Sequence, residues 1–266
     1  MRKLWDIQKN TEAEEKWALR KEEQEKKIRK NNLFQLMKSI AKAKSISIWI
    51  FIIPFIAVNT CLILITQFHE LFPDPAHVIH NTFPYIDGGT SISRTARVFP
   101  TYLIFKPSMI FTSFLLIKYW LYNKKIINSF ETNHKNIKIF VFFGVSSAVF
   151  LILHSIFLGI KFDNDLYKLF RRVVLLSFII FEITAQFYLV ITIYSLKEKI
   201  FKFINEKILK TKLILVSLLI IVAIISIPII SMPGNKFLKH ALEWDYFFGV
   251  IAFYLLTFFM WKNNKN

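Results

Sequence analysis

The chain has 266 residues, of which 54% are apolar and 29 are Phe, and its 35 Lys and Arg against 18 Asp and Glu give a net charge of +17. The apolar residues gather in runs of about 20, the length that crosses a bilayer as helix, which points to a polytopic membrane protein rather than a soluble domain. The charge does not signal nucleic-acid binding, because the basic residues flank the apolar runs instead of covering a soluble face, and the single cysteine, Cys61, excludes an intrachain disulfide.

Residues 1–44 hold 13 of the basic residues and 7 of the acids. No apolar run follows the first charges, so this is not the pattern of a signal peptide. Thr11 and Glu14 fit a capping box, which predicts a helix starting there. Its mixed charges suit a solvent-exposed helix. Leu33, Phe34, Leu36, Met37 and Ile40 form a short apolar stripe beside Lys38, Lys42 and Lys44. Two readings stay open for it, a helix lying on a membrane surface and a plain charged lead-in to the first span.

Residues 45–262 form one transmembrane domain with six apolar runs, at about 46–68, 101–122, 139–160, 173–194, 213–230 and 247–261. The fold class expected is all-α, a six-helix membrane bundle. With the N-terminus inside, 25 Lys and Arg fall in the inner segments and 8 in the outer ones. That bias places both termini in the cytosol. Tyr119, Trp120, Tyr122, Tyr194 and Trp261 then mark the inner interface.

The long first loop, His69 to Pro100, is expected outside or in a lumen. Its tail, Phe83 to Pro100, is the stretch richest in candidate site residues: Asp87, Ser91, Ser93, Arg94 and Arg97, beside a Gly88-Gly89 pair. Arginine suits phosphate because its planar fork donates in pairs. Nine apolar residues are too many for a solvated loop, and Gly88-Gly89 can turn the chain back. The loop is therefore expected to fold over the outer helix ends, with a short strand pair flanking the glycines. It should also bring Arg94 or Arg97 into salt-bridge reach of Glu182, Glu243 or Asp245. A solvated loop with an ordinary glycine turn is the competing reading.

Ionisable groups at membrane depth are candidates for function because they are costly there. Lys106 lies near the outer end of the second run, His154 in the third, and Glu182 with Gln186 in the fourth. At 1.5 Å per residue His154 sits about 9 Å and Glu182 about 13 Å from the outer boundary. Glu182 and Gln186 share a helix face, as do Gly144, Ser147 and His154. These groups either line a pocket open to the outer leaflet or serve as structural contacts, with a neutral or paired Glu182 bonded to His154 or Lys106. The stretch Lys239 to Tyr246, read as a fifth loop, adds His240, Glu243 and Asp245. His69, Glu70, His77 and His80 enrich the same rim, but no HExxH zinc motif occurs, so no metal is expected. Neither a Gly-x-Ser-x-Gly elbow nor a phosphate-binding glycine loop is present, and no cofactor is expected.

Ile92-Ser93, followed by Thr95-Ala96, Pro100 and Ile104-Phe105-Lys106, together with Glu243-Trp244 and Tyr246 entering the last run, resembles the Frag1/DRAM/Sfk1 family. That family includes the Cwh43 N-terminal domain and PGAP2-like proteins. The resemblance covers about residues 46–261. Two departures stand out: Ser91 where the family usually has Pro, and the charged N-terminal 44 residues. What the resemblance implies is membrane-lipid work, lipid handling or remodelling, with a lipid headgroup as partner, no nucleic acid, and partner proteins unspecified. The expected role is a non-enzymatic or accessory one, with Asp87, Ser91, Ser93, Arg94, Arg97, Lys106 and Asp245 around the headgroup. Two alternatives remain. One is a lipid hydrolase or acyl-exchange enzyme using His154, Glu182, His240 or Glu243, and the other a proton-coupled carrier with Glu182 as relay.

Overall fold

The structure is a computed structural model. It describes residues 2–80, 82–132, 134–160, 164–231 and 234–262, with the side chains of 2–16, 18, 227 and 229–231 left aside. The only regular elements among the described residues are helices; no strand forms, apart from one isolated bridge between Ile204 and Trp261.

The first helix, α1 (Arg2–Gln67), is unbroken for 66 residues. At 1.5 Å per residue it is about 100 Å long, some three times the hydrocarbon thickness. Its composition explains the continuity: the only helix breaker along its length is Pro54, and it is buried among helices that can satisfy the freed carbonyl. The described side chains between Trp17 and Gln35 are exposed. From Leu36 onward burial follows a stripe, Leu36, Ile40, Ala43, Ser47 and Ile50, at alternating steps of four and three. The rod therefore leaves the bundle near Leu36. Because α1 passes straight through Thr11 and Glu14, no helix starts there, and the charged segment is continuous with the first span.

The other long helices are α3 (Tyr102–Phe130), α4 (Asn136–Phe157), α5 (Asp165–Ser195), α7 (Glu206–Ser231) and α8 (Lys236–Met260), with short α2 (Ile92–Ala96) and α6 (Lys197–Ile200) between them. Each expected apolar run overlaps one of these or α1: 173–194 and 213–230 lie wholly inside α5 and α7, and the other four overrun their helix by one to three residues. Five of them, α1, α4, α5, α7 and α8, are long and apolar enough to cross a membrane. α3 is long enough, but its sequence carries Lys106, Pro107 and Lys118 among the apolar residues. The stretch expected as a fifth loop, Lys239 to Tyr246, is instead helical, part of α8.

The long helices close into a ring in chain order: α1 packs on α3, α3 on α4, α4 on α5, α5 on α7, α7 on α8, and α8 back on α1. Large apolar side chains such as Ile56, Phe111, Phe142, Ile180, Leu218 and Phe259 face outward, as lipid-facing surface does. Inside, Tyr119, Trp120, Phe140, Trp244, Phe253 and Tyr254 are buried. Helices in lipid gain little from hiding apolar surface, so close packing has to hold them. Gly144 shows how tight this is: a Cβ there would lie 2.3 Å from the Trp120 ring.

The first loop folds back as expected. Phe72 and Ile79 are buried against Ile65, and the Ile79 amide donates to the Ile65 carbonyl. Tyr85 stacks edge-on to Trp244 at 5.0 Å, and its hydroxyl donates to Asn59. Ile86, by contrast, is 82% exposed. The strand pair expected around the glycines is absent. Residues 84–86 form a turn, and Ser91 is the N-cap of α2, its hydroxyl accepting from the Arg94 amide. The N-cap preference of serine outweighs the β-branched Ile92 beside it.

Candidate functional site

Two polar assemblies hold the candidate residues. The first is the docked loop, the cap, which sits on the first turns of α8. Gly88 has φ +61, and a Cβ on it would lie 1.8 Å from the Phe237 carbonyl oxygen, so only glycine fits this approach. One turn further, His240 Nδ1 donates to the Gly88 carbonyl at 2.9 Å. Trp244 Nε1 donates to the Thr90 carbonyl at 2.8 Å. The Glu243 carboxylate lies beside the Ile92 and Ser93 amides, at the positive start of α2, and their N–H dipoles favour its charge. His240, Glu243 and Trp244 lie within one turn and a half of a single helix, so one face of α8 grips the whole tail of the loop.

Asp87 shapes the turn itself. Its carboxylate accepts from the Phe83 amide (2.6 Å), the Gly89 amide (2.7 Å) and the Thr82 hydroxyl (2.7 Å). Desolvation opposes the charge, but those three donors outweigh it and hold the carboxyl below the usual aspartate range. Asp87 is thus a structural residue of the turn. Ser91 and Ser93 hydroxyls lie 3.3 Å apart at the α2 N-terminus.

The arginines do not find the carboxylates expected for them. Among the described residues, neither Arg94 nor Arg97 has an acidic partner within salt-bridge distance. The reason is that the two acids nearest the cap's design are already used: Glu243 by the α2 amides, Glu182 by the bundle interior. Asp245 is exposed and makes no ion pair among the described residues. Arg97 instead lies against the end of α4, where a Cβ on Gly159 would be 2.7 Å from its carbonyl oxygen. Desolvation first, and then the charges of Arg171 and Arg94, lower the Arg97 guanidinium from its usual range. Arg171, in the second turn of α5, has a buried Nε without a partner among the described residues. Lys106 Nζ donates to the Ile156 carbonyl at 3.2 Å and lies over the Tyr102 ring. His154, half-buried on α4, does not bond Glu182.

The second assembly is a buried column inside the ring. Glu182 is 1% exposed. Its Oε2 meets the Ser147 hydroxyl at 2.6 Å, and its Oε1 accepts from Gln186 Nε2 at 3.0 Å and from the Tyr254 hydroxyl. One turn along α8, Thr257 gives its own proton to the Phe253 carbonyl at 2.9 Å. Its oxygen therefore accepts both from Tyr119, at 3.2 Å, and from Lys212 Nζ, at 2.6 Å. Tyr119 and Tyr254 rings are 4.9 Å apart. Lys212 is fully buried, 3.8 Å from the Phe253 ring centre.

Sequence reasoning placed Glu182, Gln186 and Ser147 but missed Tyr119, Tyr254, Thr257 and Lys212. Tyr119 stands in the expected interface belt, and Lys212 is one of the 25 basic residues assigned to the inner segments. The available signal was Lys212's position: it opens the apolar run of α7, and a lysine at that point either snorkels outward or points into the bundle.

At the end of the bundle away from the cap, a groove of about 540 Å³ runs between α1 and α8, lined by Met37, Ile40, Ile48, Phe203 and Phe258, with Lys44 and Lys262 beside it. Among the described residues no three His, Cys, Asp or Glu side chains gather as a metal site; His69 stacks on His80 at 4.5 Å, and His77 lies 3.8 Å from Asp74. In comparisons of the chain with family models, curated proteins and solved structures, nothing matches.

Proposed function

We propose that the chain is an integral membrane protein of lipid handling, with six spans, both termini in the cytosol and a headgroup site at the outer rim. In this reading α3 is the sixth span, held between α1 and α4. Lipid work and the Frag1/DRAM/Sfk1 family are what the motif resemblance suggests. The observation that carries the site is the group of arginines around the cap. Among the described residues Arg94 and Arg97 have no carboxylate partner, and Arg171, which repels Arg97, has no partner for its buried Nε. Like charges held together without counter-charge favour an anion between them, and guanidinium groups fit phosphate oxygens in pairs. A phospholipid or glycolipid phosphate supplies that anion at the membrane surface.

The enzyme alternative is weaker on geometry. His240 and Glu243 are spent on the loop backbone, and neither presents a hydroxyl or water to a substrate bond. The carrier alternative draws on the buried column and is taken up below.

The test is lipid mass spectrometry of the purified protein. Acidic lipid should co-purify, and Arg94→Ala with Arg97→Ala should cut it several-fold while the protein stays folded. Equal lipid retention by wild type and double variant defeats the headgroup site. Topology is checked separately: a reporter at Gly88 should read outside or luminal and one after Lys125 cytosolic. A cytosolic Gly88 reverses the orientation.

A further inference from the structure

Glu182 and Lys212 are both sealed inside the ring, at 1% and 0% exposure. Among the described residues neither has an oppositely charged partner within ion-pair distance. Yet they attach to the same face of α8, three residues apart: Tyr254 donates to Glu182, and Thr257 accepts from Lys212. Tyr119 bridges the two levels, donating to Thr257 and packing its ring on Tyr254.

A single uncompensated charge in a dry interior is far more costly than a pair of opposite charges or none. The column therefore has two low-energy states, each with no net charge. In one Lys212 is an ammonium and Glu182 a carboxylate. In the other Lys212 is an amine and Glu182 an acid. The two differ only by where one proton sits.

The hydrogen bonds accept either state without moving a heavy atom. Ser147 has one hydroxyl proton but two acceptors in reach, the Gly144 carbonyl at 2.8 Å and Glu182 Oε2 at 2.6 Å. With Glu182 ionised, Ser147 donates to the carboxylate. With Glu182 protonated on Oε2, the acid donates to Ser147, which turns its proton to Gly144. Oε1 keeps both its donors, Gln186 and Tyr254, throughout. At the other end Lys212 donates to Thr257 as amine or ammonium, and the Phe253 face suits the ammonium.

We propose that Glu182 and Lys212 form a proton-coupled pair, two buried groups on the neighbouring helices α5 and α7 that hold one proton between them and are both anchored to one face of α8, by Tyr254 and by Thr257. The exchange balances: ammonium plus carboxylate becomes amine plus carboxylic acid. The other titratable groups facing the pair are Tyr254 on α8 and Tyr119 on α3. On α4, His154 lies two turns from Ser147. On α1, Lys44 approaches α8 at Phe258 and bonds the Trp261 carbonyl. The site is independent of the headgroup reading and gives the protein a proton-linked step within the bundle.

The test is an infrared titration of the full chain in lipid nanodiscs, following the carboxylic-acid carbonyl band removed by Glu182→Gln. Lys212→Met deletes the cation, so the band should titrate at higher pH, by about one unit or more, a tenfold change in proton affinity. Lys212→Arg fixes a permanent cation, so the band should titrate at lower pH or vanish. A midpoint that neither variant moves overturns the proposal. Stability gives a second reading, through thermal unfolding of Glu182→Gln, Lys212→Met and the double variant. The double variant should unfold at a higher temperature than either single one, because each single variant leaves the remaining buried group without its counter-charge. Strictly additive losses overturn the pairing even where one single variant folds poorly.

Discussion

Along α8, two contact zones about 15 Å apart use different chemistry. Near its start, His240 and Trp244 bond to the Gly88 and Thr90 carbonyls of the loop, and Glu243 sits beside the Ile92 and Ser93 amides. Ten residues on, Tyr254 and Thr257 reach other side chains: Glu182, Tyr119 and Lys212. Contacts to backbone fix the path of the loop and leave its side chains free, so Arg94 and Arg97 can face elsewhere. Contacts between side chains tie the column to particular residues and to their protons. The cap is thus a holder for groups that act outward, while the column's members are themselves the chemistry.

The largest expected effect breaks the cap. Gly88→Val brings a Cβ onto the Phe237 carbonyl and forces a β-branched residue to positive φ. A loss of about 3 kcal/mol is expected, with loop one becoming cleavable by protease while the column, read by its infrared band, is unchanged. If the column collapses as well, the two zones are one cooperative unit and the contrast drawn here fails. Next in size is Tyr254→Phe, which takes one donor from the buried Glu182. It should lower thermal stability by about 1 kcal/mol, near the upper range for bonds between membrane helices, and leave protease resistance of the cap intact. The smallest effect comes from Asp87. Its folded carboxyl titrates below the ordinary range, so the stability it adds is present above the unfolded value and is lost as pH falls through the folded one. The cap should loosen at acid pH below the usual aspartate value, and Asp87→Asn should flatten that response. The effect is small because the carboxylate is exposed to solvent. An unchanged acid response in Asp87→Asn would assign the loosening to another group.

The helices were legible because hydrocarbon-length runs leave one solution for their backbone polar groups. The return of loop one was legible from its apolar content and from Gly88. Its internal form was not, since Ile92 favours strand by propensity while the Ser91 hydroxyl, a local cap, decides for helix. The extent of α8 was misjudged because Lys239, His240, Glu243 and Asp245 read as loop composition. Those polar side chains are accommodated by the loop folded over them and by solvent at the rim, and helix geometry is what brings His240 and Trp244 onto one face. The column was half visible. Glu182 and Gln186 stand out four apart in an apolar run, but Tyr119, Lys212 and the Tyr254–Thr257 pair come from three other helices, and no spacing within one helix relates them to Glu182. Their meeting follows from the order of helices around the ring, which hydropathy does not encode.

That ring order bears on how the chain is made. Every long helix packs on the one that precedes it, so each new span emerging during synthesis finds its partner already in the membrane, and contacts close over short sequence separations. The exception is α8, which must reach back to α1 and to loop one across more than half of the chain. Until α8 arrives, the Gly88 and Thr90 carbonyls and the start of α2 lack their partners, and Tyr119 and Lys212 lack theirs in Thr257. The last helix therefore serves as the latch of assembly: its insertion completes the cap and the column together, and a chain stalled before it would carry both unfinished, open to the surveillance that removes incomplete membrane proteins.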